Sequence, residues 1–260
     1  MTAKDIILYM ESLKDDEQRN NLMRFFKTEK PEDYGFGDEF LGIKMPDVHV
    51  IVKNSKDLPL QEIPNLLTNK WHEVRMCGFL LLVHHFSIYN KKRLINDLES
   101  VRRRDEIVEM YLNYAEYANN WDLVDLSAPK IIGEWLLLPT LLGLNDNTPQ
   151  QNESYKYTIL DSFADSKCLW KQRISMVCTM IPTKHDDASW CLYFAEKHLK
   201  HPHDLMHKAV GWMLRDVYKT KNKDLVLEFL ESNIKDFPRT TLRYTIEKMP
   251  QEEREYWLKR

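Results

Sequence analysis

The sequence predicts an all-α protein, built as a HEAT-like helical-repeat solenoid with a concave binding face, and three observations support this fold class. The chain has only seven glycines in 260 residues, and residues that favour helices are abundant. Apolar residues recur with helical periodicity in almost every segment, whereas no convincing run alternates as strands do. Basic residues near apolar helix starts also recur every 35 residues, a period typical of two-helix repeats.

The helical segments follow one another with short polar connections. Residues 6–13 carry apolar side chains at helical spacing, and residues 74–81 and 210–217 show the same period. Residues 145–155 are polar and predict a local insertion. None of the loops demands a domain boundary, so we expect one HEAT-like domain over residues 1–260. The predicted loops lie where Gly, Pro, Asn and Asp cluster, at residues 30–37, 145–149, 182–187 and 236–238.

The repeat is marked by three basic residues, Arg173, Lys208 and Arg243, which are spaced 35 residues apart. Arg75 has the same setting upstream, near the start of an apolar helix. Equivalent positions in successive units of a solenoid lie along one surface, so these residues predict a basic groove. Tetratricopeptide repeats have a similar period, but their residue pattern is missing here, so a HEAT-like unit fits better.

Composition and charge exclude several classes of protein. The net charge is −3, although residues 151–260 carry 19 Lys and Arg against 16 Asp and Glu, so a nucleic-acid partner requires a local basic face. No apolar run is long enough to span a bilayer, and the N-terminal residues do not resemble a signal peptide. The sequence lacks a Walker loop, a Rossmann glycine fingerprint and a G-x-S-x-G elbow. We therefore expect a cytoplasmic protein without a membrane segment. Its cysteines are expected to be buried thiols: Cys77, Cys168, Cys178 and Cys191.

The stretch of residues 119–125 carries the strongest functional signal. Trp121 and Asp125 are four residues apart, which places them on one face of a helix, one turn from each other. Arg173 and Trp212 occupy equivalent places in later repeat units. Together these residues suggest a site that holds a sugar or base against aromatic faces, beside a carboxylate and a phosphate contact. Core packing would account for either tryptophan alone, and an ion pair would account for Arg173.

Asp125 also has an ordinary structural interpretation. If Asp122 is the N-cap of its helix, Asp125 falls at the third helical position, where a carboxylate interacts favourably with the helix dipole. Alternatively, Ser127 could cap a helix that has Pro129 in its first turn. These alternatives remain open at the level of sequence.

The segment from His203 to His207 resembles the H-E-x-x-H helix of zinc hydrolases, with Asp204 in place of the glutamate. Aspartate is one methylene shorter, and no third ligand is visible. We therefore expect no metal and no cofactor, and interpret this segment as a solvated helix face near the basic groove.

Several motifs together resemble the DNA alkylation repair family, the AlkD-like HEAT-repeat DNA glycosylases, over nearly the whole chain. The most specific match is the W-D-x-V-D motif, Trp121-Asp122-Leu123-Val124-Asp125. The other segments similar to the family are residues 40–46 (F-L-G-I-K-M-P), 72–75 (H-E-V-R), 169–173 (L-W-K-Q-R), 211–215 (G-W-M-L-R) and the pairs 249–250 and 257–258.

The resemblance implies a helical solenoid curved around double-stranded DNA, and excision of cationic purines alkylated at N3 or N7. It implies that Asp125 is the catalytic carboxylate, that Trp121 and Trp212 contact the deoxyribose of the lesion, and that Arg173 contacts a nearby phosphate. Tyr34 is a weaker match, to an aromatic residue near the lesion. We expect a monomer that binds duplex DNA containing alkylated purines. The DNA-binding residues that we predict are Lys171, Lys208, Arg215, Arg243 and Tyr34.

The residues also suggest a mechanism. Cleavage of an N-glycosidic bond builds positive charge on the sugar, which a fixed carboxylate and electron-rich indole faces stabilise. No general acid is evident beside Asp125, so a leaving group that already carries positive charge is favoured. The alternative function is a HEAT-like scaffold that binds DNA or protein without catalysis, and it would not need Asp125. A metallohydrolase that uses His203 and His207 is a third and remote interpretation.

Overall fold

The protein is all-α, as a computed structural model shows for residues 1–142, 148–150 and 152–260. In those residues the only β pairings are isolated bridges. The chain forms two compact units, Met1–Ser127 with Pro139–Gln150 (unit 1) and Ala128–Leu138 with Gln151–Arg260 (unit 2). The predicted all-α class is confirmed, and the single HEAT-like domain stays a prediction.

Unit 1 is built around the long central helix α5, against which α3, α4 and α6 pack. Gly78 of α5 allows close packing here, because a Cβ atom at this position would lie 2.9 Å from the Cβ of Leu66. The helices of unit 1 are α1 (Ala3–Ser12), α2 (Asp16–Phe25), α3 (Met45–Asn54), α4 (Ile63–Leu67), α5 (His72–Tyr89), α6 (Leu98–Asn113) and α7 (Trp121–Ala128), the last of which ends at the boundary with unit 2.

Unit 2 starts with a π-helical stretch, Pro129–Gly133, and is centred on α13. Its helices are α8 (Glu134–Leu136), α9 (Glu153–Ala164), α10 (Leu169–Val177), α11 (Met180–Lys184), α12 (Ser189–His198), α13 (Asp204–Tyr218), α14 (Lys223–Asn233), α15 (Arg239–Thr245) and α16 (Gln251–Leu258). None of the described helices is long and apolar enough to cross a bilayer.

The 35-residue period of the sequence corresponds to three helices of unit 2. Helices α10, α13 and α15 begin at Leu169, Asp204 and Arg239, and α13 packs against both of the others. The contact between α13 and α15 is close, because a Cβ atom on Gly211 would lie 2.5 Å from the Cβ of Tyr244. The period therefore marks helices that occupy successive places in one packed stack.

Two further expectations concern the cysteines and the polar insertion. All four cysteines are free, with Cys77, Cys178 and Cys191 buried and Cys168 half-buried. Of the predicted insertion at 145–155, residues 145–147 and 151 lie outside the described residues. Its last three residues, 153–155, are the first turn of α9. The expectation of buried thiols is thus confirmed for three of the four cysteines.

Candidate functional site

Helix α7 carries the Trp-Asp motif, and its first turn is fixed by side chains at its N-terminus. Trp121 is the first helical residue, and its backbone N–H donates to Oδ1 of Asn120 at 2.9 Å. Asp122 lies in the first turn, where Oδ1 accepts from the N–H of Leu123 at 2.9 Å. Asp125 is in the second turn. The interpretation of Asp125 as the third helical residue after an Asp122 cap is therefore wrong, because the helix begins at Trp121, two residues earlier than that cap requires.

The alternative cap at Ser127 is also wrong. Ser127 is fully buried inside α7, and its hydroxyl donates to the carbonyl oxygen of Leu123 at 2.5 Å. The same hydroxyl is hydrogen-bonded to the phenol of Tyr111 at 3.0 Å. Ser127 therefore anchors α7 to α6 and does not start a new helix.

Trp121 and Asp125 are both half-buried and lie one turn apart on α7. The indole of Trp121 stacks on the ring of Phe26, with centroids 5.4 Å apart, and contacts the ring of Phe25 edge-on at 5.9 Å. Phe25 itself is 63% exposed. Trp121 therefore differs from a core tryptophan such as Trp135, which is 1% exposed, because part of its face stays accessible.

A cavity of about 300 Å³ in unit 1 adjoins the first turn of α7. Trp121, Asp122 and Leu126 line it from α7, and its other walls are formed by residues of α2, α3 and α5 and of the segment that joins α2 to α3. A largely apolar cavity with a few polar groups is typical of a ligand-binding site.

One wall of this cavity, at His72 and Asp122, belongs to a buried network of charged side chains that no sequence pattern indicated. The imidazole of His72 bridges two carboxylates, with Nδ1 at 2.7 Å from Oδ2 of Asp38 and Nε2 at 3.0 Å from Oδ2 of Asp122. The other oxygen of Asp38 accepts from the guanidinium of Arg75. The amide of Asn120 donates to Asp38 at 3.3 Å. The network therefore joins α5, α7 and the segment before α3.

The network fixes the charge states of its members. Burial by itself lowers the pKa of His72, but the carboxylates of Asp122 and Asp38 more than reverse this effect and raise the pKa to about 9. Burial opposes ionisation of Asp38 as well, yet His72 and Arg75 hold the pKa of this carboxyl below its usual range. At neutral pH the network therefore contains a carboxylate at Asp38 and an imidazolium at His72.

The segment that carries Asp38 is itself held in place by Glu73, the residue after His72. The carboxylate of Glu73 accepts three backbone N–H groups, those of Leu41, Gly42 and Ile43, at 2.9, 2.8 and 3.1 Å. Gly42 has φ +92°, a conformation that favours glycine. The residues 72–75 that resemble a family motif thus have a structural role: they organise the segment before α3.

Arg75 corrects one part of the predicted groove. Its side chain is 5% exposed, pairs with Asp38, and donates to the carbonyl oxygens of Asn69 and Lys70 at 2.7 Å each. A guanidinium whose charge is paired with a buried carboxylate does not add to a basic surface. The similarity in sequence between Arg75 and the later basic positions was therefore misleading.

The other predicted basic residues lie in unit 2, in different environments. Arg173 is 5% exposed, and Nη1 donates to the carbonyl oxygen of Leu205 at 2.6 Å. The remaining positions are at least partly accessible: Lys171 is half-buried 5.7 Å from the ring centre of Phe163, Lys208 pairs with Asp204 at 2.8 Å, Arg215 pairs with Glu247, and Arg243 is exposed. The roles of these residues in DNA binding stay predictions.

The two remaining aromatic candidates are in separate units. Trp212 is half-buried in α13 of unit 2. Tyr34 is half-buried in unit 1, and Nζ of Lys27 lies 6.0 Å from its ring centre. Of the four residues proposed to act on the lesion, unit 1 holds Trp121 and Asp125, and unit 2 holds Arg173 and Trp212.

The histidine pair that resembles a zinc motif has hydrogen-bonding roles. Nδ1 of His203 accepts from the N–H of Leu205 at 3.1 Å, so His203 caps α13. Nε2 of His207 lies 2.5 Å from the carbonyl oxygen of His201. Both rings therefore stabilise the turn that precedes α13.

The comparisons with known proteins identify the family. The family model described as DNA alkylation repair enzyme matches residues 6–249. The chain belongs to the DNA alkylation repair enzyme family. A solved structure titled predicted DNA alkylation repair enzyme from Enterococcus faecalis is similar, with a TM-score of 0.64 and 18% identity over 92% of this chain and 97% of that chain. At this identity the likeness concerns the fold. No curated protein matches the chain.

The charge state of His72 predicts how the stability of this family member depends on pH. The pKa of His72 is about 9 in the folded protein and has an ordinary value of 6.5. Protonated His72 therefore contributes about 3 kcal/mol to the unfolding free energy. This stabilisation is fully present below pH 6.5 and is lost as pH rises through 9. Urea denaturation of wild type at pH 6 and pH 10 measures this loss, and His72→Gln should show less of it.

The comparison with His72→Gln is needed because buried thiols also lower the unfolding free energy as pH rises. Burial raises the pKa of Cys77 and of Cys191 to about 12, so these cysteines also favour unfolding above pH 9. His72→Gln retains every cysteine and cancels their effect. Equal losses in the two proteins would show that His72 is not protonated between its carboxylates.

Proposed function

We propose that the protein is a DNA glycosylase that removes cationic N3- or N7-alkylated purines from duplex DNA by hydrolysis of the N-glycosidic bond. Membership of the DNA alkylation repair enzyme family supports a role in alkylation repair. The observation that carries the finer proposal is the pairing of Trp121 and Asp125 on one face of α7, both of them half-buried. An anionic carboxylate and an electron-rich indole at this spacing can both stabilise the positive charge that develops on the sugar.

In this proposal Asp125 acts on the deoxyribose. Departure of the base leaves an oxocarbenium-like sugar, and the carboxylate of Asp125 stabilises that charge and orients or deprotonates the attacking water. The accessible part of the Trp121 indole adds attraction for the cationic sugar. Trp212 is proposed to contact the same sugar.

Unit 2 is proposed to hold the DNA backbone. Arg173 is assigned to a phosphate near the lesion, and Lys171, Lys208, Arg215 and Arg243 to further phosphates, with Tyr34 of unit 1 near the lesion. In the free protein Lys208 and Arg215 are paired with carboxylates, so DNA binding would exchange these ion pairs for phosphate contacts.

The direct test is release of 7-methylguanine from a duplex that contains one such lesion, measured with purified protein in excess. Time-dependent release, absent without protein, supports glycosylase activity. Duplex binding without release, from this lesion and from 3-methyladenine, would favour the alternative scaffold.

The phosphate role of Arg173 predicts a change in salt dependence. Arg173→Ala should weaken binding to duplexes of any sequence and reduce the slope of log Kobs against log salt by about 0.9, the value for one phosphate contact. Fluorescence anisotropy between 50 and 200 mM salt is the measurement. The matched control is Lys200→Ala, because Lys200 is an exposed cation of unit 2 that pairs with Asp236 and has no assigned role.

Because Arg173 also donates to the carbonyl oxygen of Leu205, its loss affects α13 locally. Arg173→Lys, which keeps the charge, should therefore restore most of the salt slope. An unchanged slope in Arg173→Ala, together with a lower melting temperature, would assign Arg173 to the scaffold of unit 2.

A further inference from the structure

His72 lies at the centre of two separate sets of contacts that both end on the first turn of α7. We propose that His72 is a positioning residue: it holds this turn, and with it Trp121 and Asp125, in the orientation that the proposed reaction requires. The proposal rests on the proposed function, but the link between His72 and α7 can be measured independently of catalysis.

The first set of contacts is polar. Nε2 of His72 is 3.0 Å from Asp122, the second residue of α7, and Nδ1 is 2.7 Å from Asp38. Asp38 in turn accepts from Asn120, the residue just before the helix. Trp121 thus stands between two residues that are both tied to the Asp38–His72 pair. The start of α7 can rotate only if these buried hydrogen bonds break.

The second set of contacts is a stack of rings. The imidazole of His72 stacks on Phe40, with centroids 4.5 Å apart, and Phe40 stacks on Phe26 at 5.2 Å. Phe26 stacks on the indole of Trp121 at 5.4 Å. The stack therefore connects His72 to the Trp121 side chain without using the backbone of α7. Each of the two routes fixes a different part of the same helical turn.

The surroundings of His72 require that it acts through its neighbours. The ring is 3% exposed and both of its nitrogens face carboxylates, so its polar atoms are directed at Asp38 and Asp122. The charged groups around it are Asp122 from α7, Asp38 from the preceding segment, and Arg75 from its own helix, and the carboxylate of Glu73 is directed to backbone N–H groups. An imidazole with a carboxylate at each nitrogen donates both of its protons, and loss of either proton would break one end of the bridge.

The test compares two histidines of the same helix. His72→Gln removes the bridge between the carboxylates. His85→Gln is the matched control, because His85 is a partly buried histidine near the other end of α5, where its Nε2 bonds the carbonyl oxygen of Leu58. Single-turnover release of 7-methylguanine and duplex Kd are measured at a temperature where melting curves show each protein to be folded.

We expect His72→Gln to slow release by about 10- to 100-fold, because misplacement of a catalytic group by a fraction of an ångström to 1 Å has effects of this size, with Kd changed less than about twofold. His85→Gln should change both quantities less than about twofold. If folded His72→Gln releases base at the rate of wild type, His72 is only structural and the proposal is overturned.

A second measurement separates this proposal from the proposed function. Acrylamide quenching of the fluorescence that is lost in Trp121→Phe reports the exposure of Trp121 alone. This quenching should increase in His72→Gln and stay unchanged in His85→Gln. Failure of wild type to release any base would refute the glycosylase function, whereas unchanged Trp121 quenching in His72→Gln would refute the positioning role.

Discussion

Asp125→Asn is expected to reduce the single-turnover rate of 7-methylguanine release by a factor of about 10²–10⁴, while duplex Kd and melting temperature stay close to those of wild type. The substitution keeps the size of the side chain but removes the negative charge that stabilises the developing sugar cation. Because Asp125 lies in the second turn of α7, loss of its charge has little effect on the helix dipole energy.

Two controls make this expectation specific. Glu109→Gln removes an exposed carboxylate from α6 of the same unit and should leave release, binding and stability unchanged. Asp122→Asn should lower the melting temperature, since it leaves the buried imidazolium of His72 with one carboxylate. If Asp125→Asn instead melts earlier and still releases base at the rate of wild type, the carboxylate is structural and the proposed mechanism is wrong.

The second large effect concerns the charge of the leaving base. Duplexes with one 7-methylguanine or 3-methyladenine should lose the base at neutral pH. Duplexes with hypoxanthine or 1,N6-ethenoadenine should remain at the background rate, a difference of at least about 10²-fold. The alkylated purines already carry positive charge, whereas the neutral bases need a proton donor. Release from matched duplexes that differ only in the lesion is the measurement.

The structure strengthens this expectation for His72, a protonated group near the Trp-Asp motif. His72 is an imidazolium close to the Trp-Asp motif, but it is 3% exposed and both its nitrogens face carboxylates. It therefore has no proton directed at a substrate. Efficient excision of hypoxanthine would show that another acid acts and would remove this argument. Failure on all lesions with retained DNA binding would favour the non-catalytic scaffold.

Local patterns predicted the features that depend on neighbouring residues of the chain. The spacing of Trp121 and Asp125 indicated a shared helical face, and the two residues do lie one turn apart on α7. The 35-residue spacing of basic residues likewise corresponds to the starts of α10, α13 and α15. Helical periodicity is a property of consecutive residues, so it can be read without knowledge of the fold.

The residue at which α7 begins is harder to predict, although it too depends on neighbouring residues of the chain. Asp122 and Ser127 are both competent caps, and the sequence left the choice between them open. The choice depends on burial: Ser127 is enclosed by α6, and Asn120 is held at Asp38. With those contacts in place the helix starts at Trp121, which moves Asp125 out of the first turn.

The sequence by itself determined the all-α class, the helical repeat and the pairing of Trp121 with Asp125, because each follows from the period of side chains along one helix or between similar helices. Only the tertiary structure decided that Arg75 is buried and that His72 bridges carboxylates 34 and 50 residues away. A histidine or arginine has the same letter whether it faces water or a buried aspartate. The difference comes from desolvation and pairing of charges, which exist only after distant segments have packed together.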